Sequence, residues 1–141
     1  MPSVSDEISI NGTGEAVFAA LADPEVQVGY DRDFRSVEKL TQGPIGKGTR
    51  FRGDFKGMGK VEYEYAEFEP IRLIEHAVKW PFGAVRHRFD FQPSGDGTRL
   101  AQAITLRPNL LGRLLWPLLL RDLVGRRLRT VNRLVKAYVE G

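Results

Sequence analysis

Two histidines, His76 and His87, are the side chains of this 141-residue chain best suited to acid–base chemistry near neutral pH. Both lie in segments where polar and apolar residues alternate, and so do Tyr63 and Gln102. If each hairpin is centred on its turn residues, these side chains become cross-strand neighbours. The alternation therefore predicts one polar row on the apolar face of a sheet, made of Gly53, Tyr63, His76, His87 and Gln102.

A polar row inside an apolar wall needs hydrogen-bond partners, because each unsatisfied buried polar group costs about 1 to 3 kcal/mol. Three interpretations stay open. The row satisfies itself, or it fixes the polar end of an otherwise apolar ligand, or His76 or His87 acts as general acid or base with Tyr63 as partner. In the second interpretation, aromatic walls supply most of the ligand contact, and the residues predicted for them are Phe51, Tyr65, Trp80, Phe89 and Trp116.

Several other chemistries are not expected. The chain has no cysteine, which excludes a disulfide framework and thiolate chemistry. Two histidines without a third histidine or a well-placed carboxylate supply half a zinc shell at most, so no metal site is predicted. The segment "GKGT" precedes a strand rather than a helix, so it is a turn and not a phosphate-binding loop. We expect no cofactor.

The elements that must position these residues follow from periodicity. Six segments of period two, separated by short turns, follow one another from Phe34 onward, and such short connections require antiparallel pairing. Residues 3–10 predict a first strand, and two short helices follow, with Thr13 as N-cap and Pro24 at the start of the second. The sequence thus predicts an α+β fold with a seven-stranded antiparallel sheet and a long C-terminal helix.

The C-terminal segment, Leu110 to Gly141, could be a membrane-surface helix, a nucleic-acid arm or the inner helix of a ligand-binding domain. The chain from Arg107 to its end, which includes this segment, carries eight basic and two acidic residues. Its apolar stripe comprises Leu120, Val124, Leu128, Val131, Val135 and Tyr138. The apolar face of the sheet needs that stripe for burial, so we expect the helix to lie across the sheet with its arginines in solvent. Pro117 should kink or begin it, after a separate lead-in turn.

Partners follow from the same segment. Nucleic-acid binding is not expected, because no exposed aromatic platform accompanies the basic residues. A weak contact with an anionic membrane or an acidic partner stays open as an alternative. The length fits one domain, residues 1–141, and neither a signal peptide nor a membrane-spanning run is evident, so we expect a cytoplasmic protein. The oligomeric state is not indicated.

Turn signatures carry a family resemblance: "DPE" at 23–25, "GKGT" at 46–49, "EFEPIRLI" at 67–74 and "GDGTRL" at 95–100. Together with the element order, they make the chain similar to the polyketide cyclase/dehydrase and lipid transport family of the START-like (SRPBCC) superfamily. The resemblance implies a helix-grip fold of the Bet v 1 type, with the sheet curved around the long helix. It also implies a carrier or sensor for a lipid, polyketide or aromatic compound. A cyclase/dehydratase-like or hydrolytic enzyme using His76 and His87, with polyketide cyclase/aromatase-like activity, is the alternative.

Overall fold

The computed structural model describes residues 1–141 and has the predicted α+β architecture. The elements are β1 Ser3–Ile10, α1 Gly14–Ala22, α2 Pro24–Tyr30, β2 Phe34–Lys39, β3 Arg50–Phe55, β4 Gly59–Glu69, β5 Leu73–Trp80, β6 Gly83–Ser94, β7 Gly97–Pro108, α3 Leu110–Leu115 and α4 Arg121–Glu140. A π-helical turn, Trp116–Leu120, joins α3 to α4. The seven strands form one antiparallel sheet in the order β1-β7-β6-β5-β4-β3-β2. The fold prediction is confirmed.

The two short helices begin where their capping residues predict. The Thr13 hydroxyl accepts a hydrogen bond from the backbone N–H of Ala16 and caps α1. The Asp23 carboxylate accepts from the backbone N–H of Glu25, and Pro24 opens α2 because its fixed φ suits the first helical position. These caps place α1 and α2 over one end of the sheet, where they help to close the core.

Helix α4 buries its apolar stripe against the sheet. The predicted stripe residues Leu120, Val124, Leu128, Val131 and Val135 are buried, and Leu120 closes the π-helical turn that leads into α4. Tyr138, the sixth, is half exposed and stacks on Tyr30 with ring centroids 4.6 Å apart. The stripe thus lies across the sheet as predicted, since the apolar face has no other cover of that length.

The lead-in to α4 is a separate helical segment, also as predicted. The Asn109 side chain accepts from the backbone N–H of Gly112 and caps α3. Pro117 lies in the π-helical turn, because it cannot donate the hydrogen bond that a continuous helix would require of it. A β-carbon at Gly112 would come within 2.1 Å of the Phe82 carbonyl oxygen, so glycine allows α3 to lie against the β5–β6 turn.

The strand register agrees with the prediction in one hairpin and departs from it in three. Between β5 and β6, Trp80 pairs with Gly83 and His76 with His87, as expected. Between β6 and β7 the turn is Gly95–Asp96, and Gly95 has the positive φ that such a tight turn requires. The centre of this turn lies one residue further along the chain than predicted, so every cross-strand pair of β6 and β7 moves by two residues.

The predicted polar row therefore lies on the correct face of the sheet, but its predicted cross-strand pairs are wrong except for His76 with His87. His87 pairs with Ile104 and Gln102 with Phe89. His76 pairs with Tyr65, beside a bulge between Tyr65 and Glu67. The pairs predicted for Tyr63 and Gly53 also move, to Val78 and Val61. Because side chains alternate with a period of two, a shift of two residues keeps every one of them on the inner face.

Candidate functional site

A cavity of about 170 Å³ lies between the inner face of the sheet and the start of α4. Thirteen of its 18 lining residues are hydrophobic. Six of the nine residues predicted for a binding site line it: Tyr63, Tyr65, His76, Trp80, His87 and Phe89. The sheet adds Val61, Val78, Val85 and Ile104, and the helices add Pro24, Gln27, Leu123, Val124 and Arg127.

The other three predicted residues do not line the cavity. Phe51 is buried behind the wall, where its ring stacks on that of Tyr63 at 5.5 Å. Trp116 packs in a second core cluster with Leu106 and Leu120, because the π-helical turn directs it beneath the start of α4. Gln102 is 1% exposed and lies behind His87. These residues support the wall rather than form it.

A larger surface groove of about 1050 Å³ adjoins the cavity. The two share seven residues: Met58, Val61, Tyr63, Val78, Trp80, Val85 and Leu123. Met58 in the β3–β4 turn and Leu123 in the first turn of α4 are both half exposed where the two adjoin.

The two histidines meet at the inner end of the cavity. Their ring centroids lie 5.7 Å apart, with the rings close to perpendicular. The His76 ring stacks flat on Tyr65 at 5.0 Å, and its Nε2 atom is buried without a hydrogen-bond partner. A buried nitrogen without a hydrogen-bond partner costs free energy. The polar row thus contains one nitrogen, His76 Nε2, to which the protein supplies no hydrogen bond.

His87, by contrast, begins a chain of buried side-chain hydrogen bonds. Its Nε2 atom lies 2.8 Å from Gln102 Oε1. Gln102 Nε2 donates to Asn132 Oδ1 at 2.6 Å and to the Leu128 carbonyl oxygen at 3.3 Å. Asn132 Nδ2 in turn donates to Asp6 Oδ2 at 2.8 Å. The chain runs from the cavity through the core to β1.

Sequence reasoning missed Asn132 and Asp6, although both carry a recognisable signal. Asn132 follows Leu128 by four residues on the apolar stripe of α4, where a polar side chain needs a partner. Asp6 alternates with Val4 and Ile8, which places it on the inner face of β1. Polar residues at positions that the period assigns to the core are the signal for such a network.

Burial keeps His76, His87 and Tyr63 uncharged at neutral pH. Burial lowers the pKa of His87 to about 4, although the hydrogen bond to Gln102 raises it and nearby Arg127 lowers it further. Burial, and then the neighbouring His87, hold the pKa of His76 well below its ordinary value. Burial raises the pKa of Tyr63, so that its hydroxyl stays protonated. These three side chains therefore offer neutral hydrogen-bonding groups in an apolar wall.

Arg127 is the one arginine of α4 that lines the cavity, which corrects the expectation that the arginines of this helix face solvent. Its guanidinium contacts the carboxylate of Asp31 with two bonds, of 2.7 and 3.3 Å. Asp31 is 1% exposed and also accepts from the side chain of Gln27 and the backbone N–H of Asp33. This buried ion pair ties α4 to the segment between α2 and β2, beside the cavity.

No three histidine or carboxylate side chains converge as a metal site would require. Every helix is too short or too polar to cross a lipid bilayer.

The family is settled by sequence. Residues 1–140 match the family described as polyketide cyclase/dehydrase and lipid transport, and the chain belongs to that family. No curated protein is significantly similar to the chain in sequence.

Solved structures share the fold across the whole chain. Ara h 8.0201 superposes with a TM-score of 0.80 at 13% identity, covering 98% of this chain and 97% of its own. A START superfamily protein from Mycobacterium smegmatis gives 0.77 at 18% identity, with coverage of 98% and 97%. The di-domain ARO/CYC protein BexL, from the BE-7585A biosynthetic pathway, gives 0.83 at 17% identity, covering 99% of this chain and 50% of its own. At these identities the likeness establishes the Bet v 1/START fold.

Proposed function

We propose that the protein binds a small or medium hydrophobic molecule in the cavity, as a carrier or sensor. The observation that carries the proposal is an apolar cavity that both imidazole rings, His76 and His87, line. A pocket with apolar walls and a few polar groups at one place is the usual form of a small-molecule site. The family description, polyketide cyclase/dehydrase and lipid transport, supports lipids and polyketides as ligand classes.

The dimensions limit how a ligand would lie. The cavity of about 170 Å³ is close to the roughly 150 Å³ of an engineered cavity that binds benzene, and below the roughly 300 Å³ of typical ligand pockets. One aromatic ring or a short alkyl segment therefore fills the inner end. The remainder of a longer ligand would extend past Met58 and Leu123 into the groove.

Binding is better supported than catalysis. General acid–base catalysis is most effective when the pKa lies near the working pH, and burial lowers the pKa of His87 to about 4. A cyclase/dehydratase-like or hydrolytic reaction with His76 and His87 as acid and base would need a bound substrate to raise those pKa values. Neutral imidazoles suit the recognition of a polar group directly.

A fluorescence titration with the apolar dye 1-anilinonaphthalene-8-sulfonate tests the proposal. Ile104 lines the cavity, so Ile104→Trp should fill it and weaken dye binding roughly tenfold or more, since bulk replaces the site. Ala103 is its neighbour on the outer face, and Ala103→Trp is the matched control that should leave dye affinity unchanged. Equal affinities of the two variants, both folded, would contradict the proposal.

Exposed leucines beside the groove support a second function, docking on an anionic membrane. Six leucines of α3, the π-helical turn and the first turn of α4 are 48 to 84% exposed: Leu110, Leu111, Leu114, Leu118, Leu119 and Leu123. Leu119 and Leu123 also line the groove. An exposed apolar patch of this kind marks an interaction surface.

The charges around the leucines favour a bilayer with anionic lipids. Arg113 and Arg121 lie within this stretch of chain and Arg107 and Arg126 flank it, against one acid, Asp122. Basic residues flanking exposed leucines suit the headgroup boundary, where the leucines reach acyl chains and the arginines meet phosphates. The expected contact thus lies at the lead-in to α4 rather than along its basic back.

Vesicle co-sedimentation tests the docking. Phosphatidylcholine vesicles containing phosphatidylglycerol should bind the protein, and Leu118→Ser/Leu119→Ser should reduce binding roughly tenfold or more through lost burial. Arg129→Ser/Arg133→Ser, on α4 beyond the leucines, is the matched control and should retain most of the binding. No binding by the wild type, or a stable dimer in sedimentation that buries the leucines, would overturn the docking proposal.

A further inference from the structure

The hydrogen-bond chain behind His87 has a fixed direction, which begins at Asp6. A carboxylate only accepts hydrogen bonds, so Asn132 must turn its amide nitrogen toward Asp6. The carbonyl oxygen of Asn132 then faces Gln102 and can only accept. Gln102 must therefore present its own amide nitrogen to Asn132.

The backbone enforces the same orientation of Gln102 independently. Its amide nitrogen also meets the carbonyl oxygen of Leu128, which is again an acceptor only. Gln102 and Asn132 are 1% and 0% exposed, so water does not compete for these bonds. A reversed Gln102 amide would place its oxygen against two acceptors and is excluded on electrostatic grounds.

The orientation of Gln102 determines which nitrogen of His87 carries the hydrogen. The oxygen of Gln102 faces His87 Nε2 at 2.8 Å, so Nε2 must carry the hydrogen. A neutral imidazole has one N–H, which leaves Nδ1 with an unprotonated lone pair. Nδ1 forms no hydrogen bond with the protein and is not completely buried. The ring itself lines the cavity.

We propose that Asp6, Asn132 and Gln102 act as positioning residues that hold His87 as the Nε2–H tautomer, so that the cavity accepts rather than donates a hydrogen bond at Nδ1. The ligand class that fits is a hydrophobic molecule with a hydroxyl donor, such as a phenol, an enol or an alcohol. The corresponding ether lacks this hydroxyl donor. A carboxylate would place its negative charge against the lone pair of His87 Nδ1. This specificity rests on the proposed ligand-binding function and deepens it.

The tautomer can be measured without a ligand. Long-range ¹H–¹⁵N correlation spectra of the ¹⁵N-histidine-labelled protein at pH 7 should show His87 Nδ1 as the unprotonated nitrogen and Nε2 as the protonated one. The His87→Gln variant assigns the signals. A protonated Nδ1, or an averaged pair of nitrogens, would overturn the proposal whatever the ligand proves to be.

The specificity is tested with 4-ethylphenol and 4-ethylanisole, which differ in the hydroxyl hydrogen that the ether replaces by methyl. Calorimetric titration should show the phenol binding roughly three- to tenfold more tightly, the effect of one hydrogen bond. In Gln102→Leu, which frees His87 to adopt either tautomer, the preference should fall toward equality. If that variant does not fold, the wild-type preference and tautomer decide.

The outcomes separate the two proposals. Equal binding of phenol and ether by the wild type overturns the donor specificity and leaves the ligand-binding function standing. Absence of binding by both, with the tautomer as expected, overturns the ligand-binding function and the donor specificity with it.

Discussion

The buried neutral histidines should make the fold sensitive to mild acid. The pKa of His87 is about 4 in the folded protein against 6.5 in an unfolded chain, so below pH 6.5 the unfolded state binds a proton that the folded state refuses. His87 thus costs no stability above pH 6.5, and the free energy of unfolding falls progressively as the pH drops toward 4.

The size of the effect follows from the same shift. Between pH 7.5 and 5, His87 alone should lower the free energy of unfolding by about 2 kcal/mol, at about 1.4 kcal/mol for each unit of pH below 6.5. The pKa of His76 is also well below its ordinary value, so its contribution adds to this. The sum is a large part of the roughly 5 to 15 kcal/mol that stabilises a typical domain.

Urea unfolding at a series of pH values from 7.5 to 5 measures this dependence. Most carboxylates stay ionised in that range and contribute little. His76→Phe should reduce by about one the number of protons taken up on unfolding, and so flatten the dependence of the free energy of unfolding on pH. It should also raise stability at neutral pH, because it removes the unpartnered nitrogen. Tyr63→Phe lines the same cavity without titrating there and is the control. Identical pH slopes for wild type and His76→Phe would refute the reasoning.

Three further predictions follow from single features. Arg127→Met should lower the free energy of unfolding by about 3 kcal/mol, because it leaves the Asp31 carboxylate buried and unpaired, and adding Asp31→Asn should recover much of the loss in urea titrations. Gly112→Ala should lower the melting temperature by several degrees in calorimetry, because its β-carbon would come within 2.1 Å of a carbonyl oxygen of the β5–β6 turn. His76→Ala/His87→Ala should weaken binding of 4-ethylphenol modestly, as measured by calorimetry, whereas an enzyme using both histidines would keep its affinity and lose turnover.

The sequence predicted the fold because its local signals agree with one another. Alternation assigned each strand a face, the Thr13 cap and Pro24 marked where the two short helices begin, and Pro117 separated the lead-in from α4. The same alternation brought both histidines to the inner face. These features depend on local periodicity and backbone chemistry, which a single sequence contains.

Register and long-range pairing depend on information that periodicity lacks. A turn displaced by one residue keeps every face but changes every neighbour, which is why Gln102 lies behind His87 rather than beside it in the sheet. The network to Asp6 and the pair of Arg127 with Asp31 join residues about 100 positions apart, and only packing of α4 on the sheet brings them together.

The central claim is that the cavity receives a hydrophobic molecule, and native mass spectrometry of the protein purified from its own host tests it most directly. We expect a co-purifying small molecule that gentle activation releases, and its loss from the Ile104→Trp variant but not from Ala103→Trp. A bound molecule that persists when the cavity is filled, or a protein that stays free of small molecules even when 4-ethylphenol is added in excess, would contradict the account.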